Sequence, residues 1–143
     1  MIGEIKPTYV AEVEVVGGRE GHAVSSDGVL DVTLRRPKTN GISEGTNPEQ
    51  LFAAAFGGCF LGALNAVTRD TGIDVSNARL KVEVGKGEDP VHGGNGLTVR
   101  LALSIPGMDL AEVQSLADQA HVVCPYSKAT RGNIPVDVIA TEA

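Results

Sequence analysis

Apolar and polar residues alternate along the first third of the chain. From Tyr9 to Val16 the glutamates fall on one side of a two-residue period and apolar side chains on the other, which predicts a strand with one wetter face. Gly17-Gly18 then turns the chain. Two further strands, His22 to Ser25 and Val29 to Arg35, are predicted on either side of an Asp27-Gly28 hairpin turn. The N-terminal third is therefore predicted to form an antiparallel meander.

A long apolar run follows, and it begins with a complete helix-start signal. Asn47 is suited to the N-cap, Pro48 to the first helical position and Gln50 to the capping box, so we expect a helix from Pro48 to about Asp70, with Gly72 as its stop. The apolar run at residues 51–64 is shorter than the roughly 20 residues of a membrane span, which favours a buried core helix. Because this helix is apolar on nearly every face, it requires cover all round, and this predicts a partner subunit.

The second half of the chain shows strands interrupted by one more helix. Alternation over Arg79 to Gly85 and Leu97 to Ile105 predicts a second hairpin. An amphipathic helix opens after Asp109 and ends by Cys124, because a proline follows it. A last strand, Pro135 to Ala140, closes the chain. Strands and helices without a regular βαβ repeat predict an α+β fold, with antiparallel sheets around a long central apolar helix, in a single domain of residues 1–143.

Composition narrows the classes of partner. The 143 residues carry a net charge of −6, and the basic residues are scattered apart from a short cluster at 35–38, so nucleic acid is not expected as a partner. The N-terminal residues show neither a basic leader nor an apolar core segment, which predicts a cytoplasmic protein without membrane attachment. In that compartment structural disulfides are rare, and a pair of cysteines is more often catalytic or redox-active.

The chain has two cysteines, Cys59 in the apolar helix and Cys124 before a proline. Taken alone, a buried cysteine is as readily a small hydrophobic core residue as a reactive one. The Gly-Gly segment before Cys59 favours reactivity, because it leaves room for a molecule to approach the sulfur. Cys59 lies too far from the helix N-terminus to be activated there, so a cation must lower its pKa. The candidates are the arginines and histidines at Arg19, Arg69, Arg131, His22, His92 and His121.

Several other kinds of site are not supported. The histidines show no metal-ligand spacing with one another or with the cysteines, and the chain has no Cys-x-x-Cys, so no metal site is predicted. The sequence also lacks a Walker-type phosphate loop, a dinucleotide glycine fingerprint and a Gly-x-Ser-x-Gly elbow. Nucleotide cofactors and serine hydrolysis are therefore not expected.

Two long motifs carry a resemblance to a known family. The segment NPEQLFAAAFGGCF at residues 47–60 and the segment VCPYSKATRGN at residues 123–133, together with GGREG at residues 17–21, resemble the organic hydroperoxide resistance branch of the Ohr/OsmC family. The similarity extends over nearly the whole chain. It implies the fold of that family, an intertwined homodimer in which sheets surround long central helices.

The resemblance also implies an activity and roles for residues. It implies a thiol peroxidase that reduces organic hydroperoxides to alcohols with no metal and no bound cofactor, recycled by dihydrolipoyl groups on lipoylated proteins or by another dithiol. Cys59 would be the peroxidatic cysteine, Cys124 the resolving cysteine, and Arg19 with Glu49 the pair that tunes the thiolate. The apolar walls of the substrate site would come from Leu51, Phe52, Phe56, Phe60 and Tyr126.

Helix geometry adds a prediction about assembly. Glu49 and Cys59 are ten residues apart on one predicted helix, about 15 Å along its axis. If Arg19 must pair with Glu49 and also reach Cys59, the simplest arrangement is a two-fold homodimer in which Glu49 and Arg19 of one chain complete the site around Cys59 of the other. A non-enzymatic redox sensor or small-molecule-binding module remains the alternative function. A general dithiol oxidoreductase is disfavoured by the absence of Cys-x-x-Cys.

Overall fold

The structure is a computed structural model that describes residues 3–143. Met1 and Ile2, the first residues of the segment in which no leader was expected, lie outside the described residues. The chain divides into two compact units, Met1–Pro48 and Glu49–Ala143. Together the elements of the two units give the predicted α+β class.

The first unit contains the predicted meander. Its elements are β1 (Val13–Val16), a 3-10 turn (Gly18–Glu20), β2 (His22–Ser25) and β3 (Asp31–Thr33). The strands form an antiparallel sheet in the order β1-β2-β3. The positive φ of Gly28, 75°, lies in the turn between β2 and β3, as the Asp27-Gly28 signal predicted. β1 and β3 are shorter than the alternation predicted.

The 3-10 turn carries Arg19 between glycines that no other residue could replace without strain. Gly17 has a φ of 76°, a left-handed conformation that favours glycine. A Cβ atom at Gly21 would lie 1.7 Å from the carbonyl oxygen of Val16. The backbone on both sides of Arg19 is therefore fixed by steric requirements of the sequence.

The first sheet buries little apolar surface within the chain. All four residues of β1 are exposed, and Val15 and Val16 keep 54% and 60% of their surface accessible. Among the described residues of this unit, the buried hydrophobic side chains are those of Ala23 and Leu34. Small sheets need more apolar contact than this for stability. The exposed valines are thus available to pack against further protein.

The second unit holds the long helix and a second sheet. Its elements are α1 (Pro48–Thr68), β4 (Arg79–Glu88), β5 (Asn95–Ser104), α2 (Leu110–Val123), α3 (Pro125–Thr130) and β6 (Val136–Ala140). Helix α1 begins at the predicted proline and ends two residues before the predicted Asp70, whose φ of 66° is left-handed. Gly72, with a φ of 78°, follows as the expected stop.

The second sheet has the order β4-β5-β6 and differs from prediction in one pairing. β4 and β5 form the predicted antiparallel hairpin. β6 pairs parallel to β5, whereas antiparallel sheets were predicted. The reason is the connection, because α2 and α3 carry the chain back across the sheet so that β6 starts at the same end as β5. Helix α3 was also not predicted, although Pro125 at its first position is a residue that starts helices well.

The hydrophobic core of this unit lies between one face of the sheet and the helices. Leu101 and Leu103 of β5 are fully buried, as are Phe56, Phe60 and Leu64 of α1. The α1 residues recur every four positions and so form one stripe along the helix. The α2 contribution consists of Val113, Leu116, Ala117 and Ala120 of its predicted apolar face. Leu110, which the amphipathic pattern placed on the same face, is exposed.

The buried residues of α1 are this stripe together with Ala63 and Thr68. Ala54, Gly58 and Gly62, also four residues apart, form a second stripe that is exposed. By its length and its mean hydropathy of 1.7, the helix meets the criteria for a membrane span, as core helices of globular proteins also do. Of the 18-residue stretch of the helix that meets these criteria, 28% is buried. A single chain therefore leaves much of an apolar helix uncovered.

Candidate active site

The fold brings the two cysteines together, although 65 residues separate them in the chain. Both are free thiols, and Cys124 Sγ donates a hydrogen bond to Cys59 Sγ over 3.5 Å. Cys59 is half-buried, whereas Cys124 is fully buried. A disulfide has an S–S length of about 2.05 Å, so a relative shift of about 1.5 Å would join them.

Cys124 occupies a junction between two helices. Its backbone N–H donates to the carbonyl oxygen of Ala120 over 2.9 Å and so closes α2. Its carbonyl oxygen accepts from the N–H of Lys128, also at 2.9 Å, and so opens α3. The ψ of Cys124, 123°, is extended, as expected for a residue that precedes proline. The thiol is thus held at a fixed bend between two helices.

Three aromatic rings pack together next to the cysteines. The ring centroids are 6.0 Å apart for Phe52 and Phe56, 6.3 Å for Phe52 and Tyr126, and 5.7 Å for Phe56 and Tyr126. Such spacing and tilt are favourable for aromatic pairs. Phe56 precedes Cys59 by one helical turn, and Tyr126 follows Cys124 by two residues. The three rings therefore form an apolar wall beside the thiols. Within this wall, Tyr126 remains 38% exposed.

The other two predicted wall residues are placed differently. Phe60 is fully buried in the hydrophobic core of the second unit. Leu51 is half-buried in the first turn of α1 and is outside the set of side chains that pack on that core. Their contribution to a substrate site stays a prediction.

The environment of Cys59 within its unit disfavours the thiolate. Burial raises the pKa of the Cys59 thiol, and the neighbouring Cys124 raises it further. A backbone hydrogen bond from Tyr126 acts in the opposite direction, although burial has the larger effect on the pKa. The thiol would therefore be protonated at neutral pH unless a cation approaches it.

The two glycines before Cys59 have different surroundings. A Cβ atom at Gly57 would lie 3.2 Å from Cγ2 of Val82, so this glycine lets α1 pack closely on β4. A Cβ atom at Gly58 would have no neighbour within 4 Å among the described residues. The Gly-Gly segment was expected to leave room beside the Cys59 sulfur. The sheet fills the space at Gly57, whereas the space at Gly58 is open.

The predicted activating pair lies on two different elements. Arg19 is on the 3-10 turn of the first unit, and Glu49 is in the first turn of α1, which belongs to the second unit. Both side chains are half-buried. Because α1 is one continuous helix, Glu49 and Cys59 are separated by about 15 Å along its axis, as predicted. The glutamate of a chain cannot reach the sulfur of the same helix.

Two of the other cation candidates, His22 and His92, pair with carboxylates instead. His22 contacts Asp31 at 2.5 Å across two strands, and His92 lies 3.5 Å from Asp89 in a loop. Within residues 3–143 no group of three or more His, Cys, Asp or Glu side chains could hold a metal ion.

A hydrogen-bonded cluster around the Cys124 junction was missed by the sequence reasoning. Nδ1 of His121 lies 2.8 Å from Oγ of Ser127, and Nη2 of Arg131 donates to the carbonyl oxygen of His121 over 2.7 Å. A sequence pattern could have predicted this cluster: a histidine in the last turn of a helix is followed by an arginine, whose side chain can donate to the last carbonyl groups of that helix.

Comparison with known proteins identifies the family. The sequence matches the family of OsmC-like proteins over residues 39–139, a range that contains both cysteines. The chain belongs to the OsmC-like family. The organic hydroperoxide resistance protein of Xanthomonas axonopodis pv. citri is 49% identical over 134 residues, which are 92% of this chain and 93% of that protein. This OsmC-like chain therefore falls in the organic hydroperoxide resistance branch, as its two motifs indicated.

Solved structures agree with this assignment. The crystal structure of OhrB of Bacillus subtilis has a TM-score of 0.84 and 38% identity to this OsmC-like protein, covering 94% of this chain and all of the other. An organic hydroperoxide resistance protein from Elizabethkingia anophelis gives a TM-score of 0.86 at 40% identity, covering 97% of this chain and all of the other. The predicted fold class is confirmed by these similarities.

Proposed function

We propose that this protein is a cytoplasmic thiol peroxidase that detoxifies organic hydroperoxides by reducing them to alcohols. The observation that carries the proposal is the pair of free thiols 3.5 Å apart, one half-buried and one fully buried, beside an aromatic wall. The names of the relatives, organic hydroperoxide resistance proteins, supply the class of substrate.

In the first step the Cys59 thiolate attacks the terminal oxygen of the hydroperoxide R–O–O–H. The S–O bond forms as the O–O bond breaks, and the alkoxide that leaves takes up a proton to become the alcohol. The sulfur is oxidised by two electrons to a sulfenic acid, and the peroxide is reduced by two. Cys59 is suited to this role because it is the more accessible of the two sulfurs.

In the second step Cys124 resolves the sulfenic acid. Its sulfur attacks Sγ of Cys59, the S–S bond forms, and the hydroxyl group leaves as water after it has gained the proton of the Cys124 thiol. A dithiol such as a dihydrolipoyl group then exchanges with this disulfide, becomes oxidised itself and restores both thiols. The short distance between the sulfurs favours closure over a second oxidation of Cys59.

The raised pKa of Cys59 within its unit requires a cation for the first step. We assign this role to Arg19, whose guanidinium would stabilise both the thiolate and the charge on the departing oxygen. Glu49 would orient the guanidinium by a bidentate ion pair. Arg19 lies in a backbone segment fixed by Gly17 and Gly21, which suits a side chain that must be held in one place.

A homodimer would complete the site and cover the apolar surfaces that one chain exposes. Ala53, Ala54, Gly57, Gly58 and Leu61 line an apolar depression of about 360 Å³ on α1, together with two residues of β4. The small exposed residues at 54, 58 and 62 would let a second helix approach closely. The exposed valines of β1 would be covered in the same assembly. Glu49 and Arg19 of one chain would then lie beside Cys59 of the other.

A steady-state assay tests the proposal. With tert-butyl hydroperoxide and dihydrolipoamide, we expect continuous turnover and a much higher catalytic efficiency than with hydrogen peroxide, because an alkyl group buries apolar surface at roughly 25 cal/mol per Å². Cys59→Ser should abolish turnover. Cys124→Ser should retain one fast oxidation of Cys59 but not be recycled.

The same assay separates the alternatives. A redox sensor would form the disulfide once but would not turn over with the dithiol. A small-molecule-binding module would leave the peroxide unreduced. If the mass spectrum of peroxide-treated Cys124→Ser protein showed an unmodified Cys59, the assigned roles of the two cysteines would be wrong.

A further inference from the structure

The residues around Cys124 hold the junction between α2 and α3 from both sides. On one side, the imidazole of His121, in the last turn of α2, bonds to the hydroxyl of Ser127, in the middle of α3, at 2.8 Å. On the other, the guanidinium of Arg131, just after α3, donates to the carbonyl oxygen of His121 over 2.7 Å. Both contacts cross the bend at which Cys124 serves as the cap residue of both helices.

The burial of these groups shows which contact matters most. Ser127 is fully buried, so loss of its hydrogen-bond partner would leave a hydroxyl group without water. His121 is half-buried, and Arg131 is exposed. Because the hydroxyl of Ser127 can act as donor or acceptor, it can bond to either tautomer of the neutral imidazole. The His121–Ser127 bond is thus the part of the junction that is most costly to break.

We propose that His121 and Ser127 are positioning residues for Cys124, whose hydrogen bond fixes the α2–α3 junction so that the buried Cys124 sulfur stays within closing distance of Cys59. This inference rests on the proposed peroxidase function, because it concerns the speed of disulfide closure after Cys59 has become a sulfenic acid. A junction free to shift would have to regain its geometry before the S–S bond forms. The sulfenic acid would meanwhile remain open to a second peroxide.

The charges near His121 are consistent with a neutral imidazole in this role. Burial lowers the pKa of His121, and the Arg131 guanidinium lowers it further, while the Asp118 carboxylate acts in the opposite direction. The side chain is therefore neutral at pH 7. No proton transfer from His121 to either sulfur is needed, since its partner is the hydroxyl of Ser127.

The experiment compares Ser127→Ala with a matched control. Ser127→Ala removes one buried oxygen and the bond to α2. Thr130→Val removes a buried hydroxyl from the same helix, but this hydroxyl donates to the carbonyl oxygens of Tyr126 and Ser127 within α3 and does not reach α2. Each protein is reduced and treated with increasing tert-butyl hydroperoxide without reductant. Mass spectrometry then measures the ratio of Cys59–Cys124 disulfide to Cys59 sulfinic acid.

We expect disulfide closure to be about fivefold slower in Ser127→Ala, the factor that corresponds to one hydrogen bond of ordinary net strength, with a matching rise in sulfinic acid. The rate of the first oxidation of Cys59 should stay at the wild-type value. Thr130→Val should give the wild-type ratio. His121→Asn, which keeps a polar group near the position of Nδ1, should restore most of the ratio, whereas His121→Ala should not.

A double variant tests whether the two residues act as one pair. His121→Ala with Ser127→Ala should be no slower in closure than either single variant, because both remove the same bond. A wild-type ratio of disulfide to sulfinic acid in Ser127→Ala and His121→Ala, with fast first oxidation, would overturn the positioning role and leave the peroxidase function intact. Absence of the first oxidation in the unaltered protein would instead overturn the proposed function itself.

Discussion

Complementation between two inactive chains tests the shared site most directly. In the proposed dimer, Cys59 and Cys124 come from one chain and Glu49 comes from the other. A Cys59→Ser chain lacks the sulfur but supplies a normal Glu49, and a Glu49→Ala chain supplies the sulfur. A heterodimer of the two therefore contains one complete site and one site that lacks both groups. Each variant alone is expected to lose most of its turnover.

The size of the effect follows from the geometry of α1 and from the statistics of pairing. Glu49 and Cys59 of one chain are about 15 Å apart along the helix axis, too far for the carboxylate to act on its own sulfur. If equal amounts of the variants re-pair at random, half of the dimers are heterodimers, and each has one working site of two. The mixture should thus recover about a quarter of the wild-type activity.

The assay needs a control in which pairing occurs but no complete site can form. Mixing Cys59→Ser with Cys124→Ser provides it, because the structure places these two sulfurs 3.5 Å apart within one chain, so every site of that heterodimer lacks one cysteine. Turnover of tert-butyl hydroperoxide with dihydrolipoamide is measured after mild denaturation and refolding of each mixture. Native mass spectrometry measures the heterodimer fraction.

Two results would refute this reasoning. If heterodimers form in the expected proportion but the Cys59→Ser and Glu49→Ala mixture stays inactive, each site is built within a single chain. If the control mixture recovers as much activity as the test mixture, then Cys59 and Cys124 of different chains cooperate, and the pairing seen within one chain is not the functional one.

Three further predictions concern single residues. Arg19→Ala should raise the kinetic pKa of Cys59, already raised by burial, so that alkylation by iodoacetamide at about pH 7 slows at least tenfold; an unchanged rate would exclude Arg19 as the activating cation. The pKa of His121 in the folded chain is lowered from its ordinary value of 6.5, so the unfolded chain binds the proton first as pH falls. The stability that neutral His121 contributes is therefore present above pH 6.5 and is lost as pH falls through the folded-state pKa. The urea midpoint of His121→Asn should accordingly fall less than that of the wild type between about pH 7 and about pH 5.5, and parallel curves would contradict the assignment. Leu101→Ala, at a fully buried position of β5, should lower the free energy of unfolding by about 2–5 kcal/mol in chemical denaturation, whereas a loss below about 1 kcal/mol would show that the core is not packed as described.

The sequence by itself determined the features that depend on neighbouring residues. Pro48 starts α1, the Asp27-Gly28 turn lies between β2 and β3, and α2 ends at Val123 with Cys124 as its cap before a proline, all from local steric and hydrogen-bonding preferences. The two cysteine motifs also carried the family, which the comparisons confirm. These conclusions required no knowledge of which distant parts of the chain meet.

Only the tertiary structure decided what lies beside what. Local preferences do not state that Cys124 approaches Cys59 to 3.5 Å, since residues 65 apart are brought together by packing of α1 and α2 on one sheet. The parallel pairing of β6 likewise depends on the path of α2 and α3 rather than on the alternation within the strand. The bond between His121 and Ser127 exists because a sharp bend at Cys124 turns two helix faces toward each other. Short-range preferences act within a few residues, whereas these contacts depend on the free energy of burying a whole core.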